Sequence, residues 1–78
     1  MSITRGVFKG EVEGVLRTRY PALPSQARTD IVDLLIMRET AYERPLWVFN
    51  HKDARLAEAA YALAALAEDR PELFCRKH

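Results

Sequence analysis

Residues 4–20 read TRGVFKGEVEGVLRTRY, and whether this stretch is a helix or a hairpin decides the class of the whole fold. At a period of 3.6, Phe8, Val12, Val15, Leu16 and Tyr20 fall on one face, with Arg19 at its edge. Against a helix stand Gly6, Gly10 and Gly14, the only three glycines of the chain. Each costs a helix interior about 1 kcal/mol relative to alanine. The alternative is a hairpin turning at Lys9-Gly10, with strands near 3–8 and 11–16. The apolar spacing fits the helical period better than a period of two. The expectation is therefore a small all-α domain, with an α+β fold carrying an N-terminal β-hairpin at 3–16 as the alternative.

Read as a helix, the stretch has a second property: the glycines recur every four residues and so share one side. In lipid, such spacing marks a face where helices approach closely; in a soluble chain the inference is weaker. It suggests a close crossing against the alanine flank of a third helix, within the chain or across a dimer. The competing reading places the glycines in turns or an extended segment.

Outward from this stretch, prolines at 21, 24, 45 and 71 divide the chain, since each disfavours helix at the residue before it. Tyr20 to Pro24 reads as a loop. Ser25 reads as an N-cap for a helix over about 26–42. Ala27, Ile31, Leu34 and Leu35 form its stripe, Val32 and Ile36 sit on a flank, and Met37 lies nearer the polar side. Its apolar arc is wider than that of a one-sided surface helix. Pro45 to Phe49 is a dense apolar run, extended or a helical turn. Asn50, with Asp53 three residues on, approximates a capping box for a helix over about 51–68. Pro71 to Phe74 reads as one further turn folding back on the core.

The third helix carries DARLAEAAYALAALAED, residues 53–69, in which Ala59 to Ala67 hold no charge. At 100° per residue, Leu56, Ala59, Ala60, Leu63, Leu66 and Ala67 form the main face. Ala54, Ala57, Tyr61 and Ala64 form a second flank. Arg55, Glu58 and Asp69 mark the opposite side, with Ala62 and Ala65. The small flank would let another helix approach.

Composition limits what this chain can be. Seventy-eight residues read as one domain, 1–78, with a thin core. Cys75 is the only cysteine, so no intrachain disulfide can staple it, and a reducing cytoplasm suits it. No apolar run approaches the ~18 residues of a membrane span. His51 and His78 have no clustered spacing, so no metal is expected. Self-association or a partner is the remaining way to cover excess apolar surface. Nine arginines against three lysines, with eleven alanines, hint at a GC-rich bacterial or phage genome.

Chemistry-bearing motifs are absent. Cys75 has no sequence-adjacent activator except Arg76 and Lys77 and no catalytic signature around it, no Lys-Ser/Thr follows a glycine loop as a P-loop requires, and His51 and Asp53 lack convergent partners for general-base work. Neither an enzyme nor a cofactor is expected. The first 28 residues balance at +3 and residues 29–50 at −2, so Arg17, Arg19 and Arg28 could meet phosphates. Base readout is hard to place, because the middle of the third helix is Ala, Tyr and Leu. Trp47 and Phe49 are either an interaction hot spot or, the favoured reading, a core plug.

The function these observations favour is a small, cytoplasmic, non-enzymatic regulatory or adaptor protein that binds another protein, as a homodimer. A phage- or plasmid-encoded inhibitor would fit. Ala57, Tyr61, Ala64, Trp47, Phe49, Val32 and Ile36 are the interface candidates. The alternative is a DNA-binding transcriptional regulator using Arg17, Arg19 and Arg28.

Overall fold

A computed structural model describes residues 3–43, 45–48 and 51–75. Helix α1 spans Arg5–Arg19, α2 Ser25–Thr40, α3 Lys52–Asp69 and α4 Pro71–Phe74, with a 3-10 turn at Leu46–Val48 between α2 and α3. The described residues are all-α, with three long helices close to the expected 4–20, 26–42 and 51–68 and a short C-terminal turn.

The N-terminal hairpin is not formed. Residues 5–19 are one helix, and no described glycine has a positive φ. The tight two-residue hairpin turns require that conformation. What tips the balance is the burial of Phe8, Val12 and Leu16, each with no exposed surface. Burying one such side chain contributes about 1.5–3 kcal/mol, enough for three to offset the glycines. Thr4 closes the N-terminus, its Oγ1 accepting the Val7 N–H at 3.2 Å.

α2 returns antiparallel to α1. Lys9 meets Asp33 at 3.1 Å, and Arg28 approaches Glu13 at 3.9 Å. Ser25 is not an N-cap: it is the first helical residue, and Pro24 occupies the cap position with no side-chain bond. Ala27, Ile31, Val32, Leu35 and Ile36 are all buried, and Leu34 packs against them half-buried. Val32 and Ile36, expected on a flank, thus belong to the core. Met37 is 70% exposed. Asn50 lies outside the described residues. The cap position of α3 is His51, which makes no side-chain bond.

α3 buries Arg55, Ala59, Leu63 and Leu66, with Ala62 packed half-buried against the core. The inward face is therefore turned towards Arg55 and Ala62, both of which the angular reading placed towards solvent. At the inner face Arg55 meets the carboxylate of Glu11 on α1. Below the bundle, Leu73 and Phe74 of α4 pack on the core, and Phe74 sits 4.9 Å from Tyr20 between ring centres. Trp47 is half-buried against Phe8, at 5.6 Å, with the Arg5 guanidinium over its ring.

Candidate functional site

Between α1 and α3 the surface opens into a groove of about 700 Å³. One wall is α1, presenting Val7, Gly10, Gly14 and Val15; the other is α3, presenting Leu56, Ala57 and Ala60. Arg19 and Lys52 stand on its rim, with Thr18 and Glu11.

The groove exists because small residues face each other without touching. A Cβ built on Gly10 or Gly14 would meet nothing within 4 Å, and one on Gly6 only the Thr4 hydroxyl at 4.0 Å. The glycines do not mediate a close crossing of α1 and α3 within the chain. Gly10 and Gly14 line a gap instead.

The two walls share the apolar core and are also joined by one ion pair. Arg55 donates Nε to Glu11 Oε1 at 2.9 Å and Nη2 to Oε2 at 2.8 Å, with both side chains largely shielded from water. A fork-to-fork pair of this kind fixes orientation as well as distance. The hydrogen bonds from Arg55 hold the Glu11 carboxyl below its ordinary value, against the opposing effect of burial; the charges of Arg55 and Lys52 add to the lowering. Glu11 in turn raises Arg55.

The interface candidates divide. Ala57 lines the groove, while Tyr61, 77% exposed, and Ala64 stand on the outward side of the same helix. Trp47 packs on Phe8, and Val32 and Ile36 lie in the core. Phe49 lies outside the described residues. The three arginines are not equivalent either. Arg17 is held by Glu13 at 3.0 Å, and Arg28 donates to the Leu23 carbonyl at 2.9 Å and faces the same Glu13. Arg19 closes no ion pair among the described residues.

Residue-by-residue reasoning singled out Gly10 and Gly14 as a packing face but missed Val7, Val15, Leu56 and Ala60 as members of the same concave surface. The glycine spacing was the available signal, but it reads equally as close contact or as a gap. Among the described residues no three His, Cys, Asp or Glu side chains cluster as metal ligands. No described helix is long and apolar enough to cross a membrane. No protein-family model, curated protein or solved structure matches the chain.

Proposed function

We propose that this chain is a small, non-enzymatic regulatory or adaptor protein that binds another protein in the α1–α3 groove. The observation that supports this reading is the pair Gly10 and Gly14. Each weakens α1 by about 1 kcal/mol relative to alanine, and neither has an intramolecular neighbour that a methyl group would strike. The cost has no return inside the monomer. It has one if a helix must lie close against this wall, since grooves lined by apolar and small side chains receive amphipathic helices. The space is wide enough for side chains, and Val7, Val15 and Leu56 supply the apolar contact.

The test is capture from lysate of the source cells with wild-type chain and Gly14→Leu as parallel baits, alongside light scattering. The reading expects an associated chain, self or foreign, that the wild type retains and the variant loses. Equal retention by both baits, or no association in either assay, would overturn it. Nucleic-acid binding predicts a salt-sensitive gel shift that weakens when Arg17, Arg19 and Arg28 become alanine. Glu13 already engages two of those three, which makes this the weaker reading.

A further inference from the structure

Resting on that reading, we infer that the occupant of the groove is a second copy of this chain, which inserts the outward stripe of its own α3. The argument is one of matching shape and charge. Asp53, Ala57, Tyr61, Ala64 and Glu68 follow one another at spacings of four, four, three and four residues, so they form a single stripe along α3. Asp53, Tyr61, Ala64 and Glu68 are all exposed. The stripe has an acid at each end, small residues between, and one large ring at its centre.

The groove is the complement of that pattern. Its rim bases, Arg19 and Lys52, close no ion pair among the described residues, and neither do Asp53 and Glu68. Lys52 acts on Glu11 only at longer range. Its centre, over Gly10 and Gly14, is empty of side chains, which is where a ring from outside can seat. Tyr61, 77% exposed, is the one large side chain of the stripe. Seating it there buries a ring that α3 otherwise holds in water, and its alanine neighbours let the two helices close around it. Each copy offers one stripe and one groove, so a two-fold axis satisfies both at once and closes the assembly as a dimer. Residues Ala57, Tyr61 and Ala64 then stand at one interface with Gly10 and Gly14 of the facing copy.

Charge exchange tests this without depending on any single variant folding well. Chain one carries Arg19→Glu and Lys52→Glu, giving an acidic groove and an acidic stripe. Chain two carries Asp53→Lys and Glu68→Lys, giving a basic groove and a basic stripe. Sedimentation should find wild-type dimer, each altered chain monomeric alone, and a one-to-one dimer when the two are mixed, with circular dichroism confirming helix in each. Tyr61→Ala should weaken the wild-type dimer at least about tenfold, as loss of a central aromatic anchor does. A wild-type chain that stays monomeric at millimolar concentration would overturn the second copy as occupant. It would leave the groove open to a foreign helix, which the paired-bait capture decides separately. Altered chains that dimerise alone as well as they do mixed would also overturn it.

Discussion

Arg55 of α3 grips both oxygens of Glu11 on α1, at 2.9 and 2.8 Å, forty-four residues apart in the chain. The pair bridges the two walls of the groove, Glu11 being part of its lining. It accommodates a charged residue on the inner face of α3, while Tyr61 is exposed. Removing one partner of a shielded pair leaves the other desolvated without a counter-charge, which is far worse than never having had the pair.

The pH dependence follows from the direction of the Glu11 shift. Its carboxyl is held low in the folded state, so its contribution is present above the unfolded value and lost as pH falls through the folded one. Urea unfolding midpoints should therefore drop on acidification below the ordinary glutamate range. Glu11→Gln should start from a lower midpoint at neutral pH and lose less on the way down. Parallel pH curves for the two proteins would contradict this role.

Gly10→Ala and Gly14→Ala should each stabilise the monomer by about 0.5–1 kcal/mol, because helix gains and no contact is strained. Denaturant titration reads this directly. A loss of stability would mean that the space above these glycines is filled within the monomer.

Phe8→Ala should cost about 3–5 kcal/mol, the range for emptying a buried aromatic site. Phe8 has no exposed surface and carries Trp47 on its ring. Set against a total stability of about 5–15 kcal/mol, this loss should lower the melting temperature by more than about 10 °C. Tyr61→Ala should instead change monomer stability by less than about 0.5 kcal/mol, as an exposed substitution does. The contrast in thermal melts separates core from surface.

Glu39 is buried, and its Oε1 accepts the Leu46 N–H at 3.1 Å, tethering the 3-10 turn to the end of α2. Glu39→Ala orphans that N–H and should cost about 1–3 kcal/mol. Glu39→Gln keeps an acceptor and should recover much of it. Amide exchange at Leu46 is the local readout.

The architecture was legible because helical periodicity and proline punctuation agree over three long segments, and Phe8, Val12 and Leu16 outweigh the glycines between them. The rotation of α3 was not legible. A wheel places Arg55 by its polarity, whereas the fold places it by Glu11, a partner no local window contains. The same limit applied to the site. Ala57 could be read as part of a small-residue flank, but the groove requires knowing that α1 and α3 stand apart at Gly10 and Gly14, which spacing along either helix does not encode. Val32 and Ile36 looked surplus on α2 because the packing of α1 and α4 against it is a property of the assembled chain.

The most direct test of the central claim fills the groove from within. Gly10→Leu/Gly14→Leu places two side chains in space the monomer leaves empty. The expected protein is helical, at least as stable as wild type, and monomeric in sedimentation equilibrium at concentrations where the account predicts that wild type associates. A double variant that associates as strongly as the wild type would contradict the groove as the binding surface.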